Sequence, residues 1–262
     1  MKRVRLTIGY DGARYAGWQL QSNAISVQQR LEEALGRLTG ETARVTGASR
    51  TDAGVHAAGQ VAHFDTESAI PGEKFSFALN TMLPGDIRVS DSCDAPEGFH
   101  ARYGAKAKLY RYLWYNAPHA SALLANRSAH VCGALDAGRM RAEAQAMLGT
   151  HDFAAFAASG SQIKTTVRTI RRIDVCRMEE RVMLLVEGDG FLYNMVRILA
   201  GTLTGVGSGR MEPGAIGRAL DSRDRLDLGV TAPAQGLTLM RVYYEDLSEA
   251  EEYFCRMQKA GW

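Results

Sequence analysis

Apolar and polar residues alternate along VRLTIGY near the N-terminus, a period-two pattern that predicts a strand over residues 3–9. The period then lengthens. In SVQQRLEEALGRLTG, Val27, Leu31, Leu35 and Leu38 recur at helical spacing, with Ser26 placed to cap the first turn and Gly40 to stop the last. ARVTGA and GQVAHFDT predict strands over 43–48 and 59–66 on either side of SRTDAGVHAA. PGEKFSFALN opens with Pro71 as helices often do, and IRVSDSCD predicts a strand over 87–94. The first half therefore reads β-α-β-β-α-β.

The same order returns further along. A strand is expected near 106–115 (KLYRYLWY), a helix near 136–148 (LDAGRMRAEAQAMLG), and then two strands in VRTIRRIDVCRM and RVMLLVEG. FLYNMVRILAGTLTGV reads as an apolar helix, PGAIGRAL as a shorter additional one, and GLTLMRVYY as the closing strand. No sequence repeat is visible, yet two split βαβ units fit the length and could join into one sheet. This organisation predicts an N-terminal half over 1–104, a C-terminal half over 105–246 and a helical tail over 247–262. The segments 116–135 and 154–165 are long and rich in small residues, the kind of connection that tends to be functional.

Composition narrows the classes. With 262 residues and 46% apolar content the chain can bury its own core. The early apolar run is interrupted by charges, and no window of about 18 apolar residues occurs, so neither a signal peptide nor a membrane span is expected and the cytoplasm is the expected location. Cys93, Cys132, Cys176 and Cys255 lie far apart without a Cys-x-x-Cys pair, and the six histidines show no zinc-binding arrangement, so neither a disulfide framework nor a metal site is expected. Net charge is only +2, but just 6 of the 31 basic residues are lysine. Guanidinium forks suit phosphate and planar partners better than ammonium does.

Three positions carry candidate chemistry. Asp52 in SRTDAGVH stands before a glycine, where Asp commonly serves a turn, so both a turn-forming and a chemical role are open. Tyr110, Tyr112, Trp114 and Tyr115 fit a strand with aromatic residues on both faces. Arg197 lies in an otherwise apolar helix, where a guanidinium is costly without a partner; Asp52 is a candidate for that partner. The run GTLTGVGSGR over 201–210 lacks the Gly-Lys-Ser/Thr ending of a phosphate-cradling loop and reads as the exit from its helix.

Taken together, YDGARYAGWQ, SVQQRLEEAL, GASRTDAGVHAAGQVAHF, KLYRYLWYN, GTHDFAAF with KTTVRTI, GDGFLYNMVR and APAQGLTLMRVYY resemble, in the same order from about residue 4 to 244, the TruA family of tRNA pseudouridine synthases. The resemblance implies an α+β pseudouridine synthase fold: two ferredoxin-like (βαββαβ) halves sharing a central, mostly antiparallel sheet with helices on one side. It also implies a homodimer that isomerises uridines at positions 38, 39 and 40 of the tRNA anticodon arm without cofactor or metal. By position, Asp52 matches the catalytic aspartate, Tyr110 the active-site tyrosine that stacks on uracil near C5, and Arg197 the cation that keeps Asp52 ionised. Arg50 would fill the gap left by the turned-out nucleotide. Arg14, Lys106, Lys108, Arg111 and Lys164 are candidate phosphate contacts. One departure is Ser49, where many members have glycine before Arg-Thr-Asp. Competing classes are a non-catalytic RNA-binding module, which would use exposed aromatics on a sheet, and a metal-dependent nucleotide-phosphate enzyme built on 201–209, which lacks an obvious carboxylate pair.

Overall fold

A computed structural model of the chain describes residues 1–158, 165–245 and 247–260, with residues 259 and 260 described by backbone alone. The first elements are β1 (Lys2–Tyr10), α1 (Val27–Thr39), β2 (Thr46–Gly47), β3 (His56–Thr66), α2 (Phe75–Asn80) and β4 (Ile87–Asp94). There follow β5 (Ala107–Asn116), β6 (Ala129–Val131), α3 (Ala137–Ala144), β7 (Gly149–Asp152), β8 (Val167–Met178) and β9 (Arg181–Gly188). The last are α4 (Met195–Gly207), α5 (Ala215–Ser222), β10 (Leu237–Tyr243) and α6 (Ser248–Ala260). Contacts divide them into two units: Met1–Lys106 with Thr238–Tyr244, and Ala107–Leu237 with Glu245–Trp262. The closing strand thus groups with the first unit, not with the second half as the order of elements suggests. The reason is its pairing: β10 runs parallel to β3, Thr238 beside His56 and Leu239 beside Ala57.

In the first unit β1 pairs antiparallel with both β3 and β4, which places Val4 opposite Phe64 and Asp94. Val4, Leu6, Ile8 and Tyr10 alternate inward along β1, as the period-two pattern requires. Helix α1 begins where the Ser26 hydroxyl oxygen accepts the Gln29 N–H and ends at Gly40 with φ 75°, burying Val27, Leu31 and Leu35. Helix α2 docks through Phe75, whose ring meets Phe64 edge-on at 5.2 Å. Strand β2 is shorter than expected because the Val45 N–H donates to Glu32 Oε1 on α1 at 2.9 Å instead of joining a ladder.

In the second unit the strand order is β5-β9-β8-β7, all antiparallel, with β6 added parallel to β5. Tyr110, Tyr112 and Trp114 share one face of β5 and Arg111 lies on the other. Helix α4 sits on the Trp114 face, where the indole N–H donates to Thr204 Oγ1 at 2.9 Å. Helix α6 packs on the opposite face, with Phe254 under the Arg172 guanidinium and Gln258 donating to Asp174. Helix α4 starts at Met195, later than its apolar pattern suggests, because Asn194 before it takes a left-handed conformation, φ 61°. It then continues through Gly207, so Gly201, Gly205 and Gly207 are interior to the helix. A Cβ at these sites would strike Val230, Met211 and Met140, so the glycines serve close packing.

One buried group in the first unit is sensitive to acid. His63 accepts the Ala101 N–H on Nδ1 and stands beside His100 with ring centroids 4.9 Å apart. Burial and the Arg3 and His100 charges hold its pKa down to about 4, against a smaller opposing effect of Asp65. Below pH 6.5 the unfolded chain takes up a proton that the folded chain refuses until about pH 4. Stability is therefore expected to fall across that window by up to about 3 kcal/mol and to lose no more from this group below it. His63→Asn keeps an acceptor near the Nδ1 position and removes the titration. Thermal midpoints at pH 7 and 4.5 should converge in the variant; an equal drop in both proteins counts against His63.

Candidate active site

Asp52 sits in a turn built from backbone. The Val55 N–H donates to the Asp52 carbonyl at 3.1 Å, and Gly54 at the third position has φ 78°, as the type II turn requires. Ahead of the turn, Gln60 is fully buried and grips Ser49 twice: its Oε1 accepts the Ser49 N–H at 3.1 Å and its amide donates to the Ser49 carbonyl at 2.7 Å. Ser49 does not take a positive φ, so the replacement of glycine there leaves the backbone unstrained. Arg50 projects outward, exposed, from this fixed segment.

A second segment, YDGARYAGW over 10–18, locks the turn from outside. The Tyr10 and Thr51 hydroxyls are 2.7 Å apart, the Trp18 N–H donates to the Thr51 carbonyl at 3.0 Å, and the Gly54 N–H donates to the Tyr15 carbonyl at 3.2 Å. Gly12 donates its N–H to His56 Nδ1 at 3.1 Å. Gly12 and Gly17 are needed for space as well: a Cβ at Gly12 would run into the Val55 carbonyl, and one at Gly17 would lie 2.5 Å from the Thr51 oxygen. Trp18 lies on Gly47, where a Cβ would enter the indole ring. Asp52 itself is half-buried.

Tyr110 and Arg197 belong to the second unit. Tyr110 is 6% exposed, and its ring meets Phe191 edge-on at 5.1 Å and 80°. Gly188 makes room for this, since a Cβ there would press on Thr169 and on the Phe191 ring. Arg197 is half-buried and anchored by neutral acceptors: Nε donates to the Ala232 carbonyl at 2.9 Å and Nη1 to Asn194 Oδ1 at 2.9 Å. The Ala232 N–H returns a bond to the Arg197 carbonyl at 3.0 Å. Tyr112 completes the support, its hydroxyl donating to the Pro233 carbonyl at 2.9 Å and its ring filling the space above Gly236. The APAQG segment thus holds Arg197, a function that its composition does not announce.

The remaining candidates separate. Lys108 shares the Tyr110 face of β5, two residues away, and Lys106 is exposed. Arg111 faces the other way, and burial pulls its pKa below the ordinary guanidinium range, against a smaller opposing effect of Tyr253 of α6. Arg14 is exposed and already paired with Asp86 at 2.5 Å, a carboxylate that also accepts the Tyr15 hydroxyl at 2.7 Å. Lys164 lies outside the described residues. Among the described residues no group of three or more His, Cys, Asp or Glu side chains is arranged to hold a metal ion. The residues missed by the sequence reading are the supporting ones, Gln60, Gly12, Gly17 and Asn194.

Gly17→Ala is expected to cost about 1–3 kcal/mol and to displace the turn, because φ 92° and the Thr51 carbonyl both oppose a Cβ. Gly40→Ala is the control: φ is similar at 75° but nothing lies within 4 Å of the added carbon, so only the left-handed backbone penalty of about 1 kcal/mol applies. Equal thermal midpoints for the two variants would show that the close approach carries no energy.

The family model described as tRNA pseudouridine synthase matches residues 7–104 and 144–245. The chain is 53% identical over 245 residues to the tRNA pseudouridine synthase A of Ruminiclostridium cellulolyticum, covering 93% of this chain and 100% of that one. The protein of the same description from Acetivibrio thermocellus is 53% identical over 244 residues with the same coverage, and that from Geotalea uraniireducens 48% over 244 residues, again with the same coverage. The matched spans include both segments that fix the Asp52 turn and both that fix Arg197, and on this similarity the chain belongs to the tRNA pseudouridine synthase family.

Proposed function

We propose that this chain converts uridine to pseudouridine in the anticodon arm of tRNA, at positions 38, 39 and 40, acting in the cytoplasm as a homodimer without cofactor or metal. The reaction breaks the N1–C1′ bond, turns the uracil, forms a C5–C1′ bond, and moves a proton from C5 to N1. Nothing is oxidised, so the chemistry asks for a carboxylate, a proton acceptor and a surface that retains the free base. The observation that carries the reading is that Asp52, at the position of the family's aspartate, stands on a turn closed by its own carbonyl.

In this reading Asp52 acts, in its ionised form, at the sugar or the base. Arg197, the family's arginine by position, supplies the counter-charge. Its bonds to the Ala232 carbonyl and to Asn194 Oδ1 help orient the guanidinium. Tyr110 lies under the uracil and assists removal of the C5 proton. The unmatched nucleotide must leave its stack to reach these groups, at a cost of a few kcal/mol, and Arg50 occupies the place it leaves. Lys106 and Lys108 are the proposed rim contacts to phosphate.

Asp52→Asn keeps the backbone turn and removes the charge. The variant is expected to stay folded and to bind an unmodified tRNA transcript within about twofold of the parent. Pseudouridine formation should drop at least about a hundredfold, equivalent to about 2.7 kcal/mol of barrier. Filter binding and product analysis on one preparation, without nucleotide and with a chelator present, test it. Turnover within roughly tenfold of the parent would return Asp52 to a turn-forming role. Parent protein that binds but never converts uridine favours the RNA-binding module, and conversion abolished by the chelator favours a metal enzyme.

Tyr110→Phe keeps the ring and its edge-on contact with Phe191, so binding should hold while turnover slows by about tenfold or more. Release of tritium from C5 at the parent rate would remove the hydroxyl from the proton transfer.

A further inference from the structure

The turn after β4 presents two groups that no role above uses. Residues 100–104 are tightly held: the Gly104 N–H donates to the His100 carbonyl at 2.9 Å, and the N–H groups of Arg102 and Tyr103 both donate to His100 Nδ1 at 3.1 Å. The Tyr244 hydroxyl adds a bond to the Ala101 carbonyl at 2.6 Å. From this frame Arg102 reaches back to the strand that leads into Asp52, its Nη2 lying 3.4 Å from the Gly47 carbonyl. Tyr103 is 82% exposed, and its ring lies 4.3 Å from the His100 ring at a 32° tilt.

Arg102 is half-buried beside another cation. Burial, and after it the Arg50 charge, push its pKa below the ordinary guanidinium range. Among the described residues neither Arg50 nor Arg102 has a carboxylate within ion-pair distance. Arg102 is held by its loop against the Gly47 carbonyl, three residues before Arg50, and a half-buried guanidinium without a counter-ion is unfavourable until an anion arrives. Guanidinium forks match phosphate oxygens, and phosphate contacts are what set register on a nucleic acid strand.

We propose that Arg102 holds one backbone phosphate of the RNA strand that enters beside Asp52, with the Arg50 charge adding to the positive field there, and that Tyr103 offers its open ring face to a neighbouring base. The inference rests on tRNA being the substrate. It adds to that reading a phosphate site on the turn after β4, which reaches through Arg102 to the strand that leads into Asp52. The His100 ring beneath Tyr103 keeps the tyrosine upright, so the stacking surface exists before RNA binds.

The test is filter binding of an unmodified tRNA transcript across a potassium chloride series. Arg102→Met should weaken binding about tenfold and make the slope of log affinity against log salt shallower by about 0.7–0.9, the release of one phosphate's counterion. Arg102→Lys should keep the slope and recover part of the affinity, because a point charge replaces a fork. Tyr103→Ala should weaken binding severalfold at unchanged slope, while Tyr103→Phe binds as the parent does. An Arg102→Met protein with parental affinity and slope, altered only in thermal midpoint, makes Arg102 a prop for Gly47 and overturns the site. If that variant fails to fold, parental affinity in Arg102→Lys overturns it instead. Parent protein that forms no pseudouridine defeats the proposed function and leaves the salt slopes readable; parent activity with unchanged slopes defeats the phosphate site alone.

Discussion

Everything at the candidate site depends on two stretches of backbone lying against each other with no side chain between them. Residues 12 and 17 meet residues 51–55 so closely that a single methyl at either position would overlap a carbonyl group. Peptide groups at that distance can pair with each other, and several do: Trp18 donates to Thr51 and Gly54 donates to Tyr15, while the Gly12 N–H goes to His56 Nδ1. This close pairing makes the Asp52 turn a fixed feature of the first unit. A catalytic carboxylate placed on a mobile loop would lose the effective-concentration advantage that positioning confers. Gln60 extends the same logic upstream, since a buried amide with both ends committed to Ser49 leaves Arg50 and Asp52 one starting geometry.

The second unit meets a different difficulty, how to keep a guanidinium in an apolar helix. Helix α4 is buried along most of its length, and an ion there loses much of its hydration. Arg197 recovers part of it from a carbonyl and an amide oxygen. Asn194 can contribute because its left-handed conformation, which Asn tolerates better than most residues, ends the preceding loop and opens the helix at the same place. Arg172 in the same unit takes the other solution, a buried partner in Glu187 at 3.3 Å; burial outweighs the arginine there and raises the Glu187 pKa. The two arginines thus show two ways of holding a guanidinium in one unit, with neutral oxygens among the acceptors of one and a buried carboxylate as the partner of the other.

How legible this was in the sequence differs by element. The long segments β1, α1, β4 and β8 follow from spacing, and β9, buried on both faces after Arg181, follows from its continuous apolar run. Strands β6 and β7 escape notice: three and four residues carry too few periods, and β6 exists only because Asn116 ties its end down through Val131 and Gly133. The glycines of α4 read as a helix exit because propensity opposes them, and only tertiary packing against Val230 and Met140 explains their place inside. Asp52, Tyr110 and Arg197 are candidates through a resemblance. Gln60, Gly17 and Asn194 are not, since a buried glutamine and a close backbone approach leave no periodic trace. The facing of Arg111 away from Tyr110 could have been read, because adjacent residues of a strand point to opposite faces.

The ambiguity of Asp52 in the sequence has a physical origin. Asp precedes Gly in turns when its side chain replaces a backbone acceptor, and composition cannot distinguish that case from one in which the backbone closes the turn by itself. Here the Val55 N–H goes to the main-chain oxygen of Asp52, Gly54 supplies the positive φ, and the flanking peptides are paired with residues 15 and 18. Every requirement of the turn is met before the side chain is considered. The backbone alone therefore sets the shape of the turn, and the half-buried carboxylate starts from a fixed Cα. That rigidity is what any group acting at a defined distance from a bound partner requires.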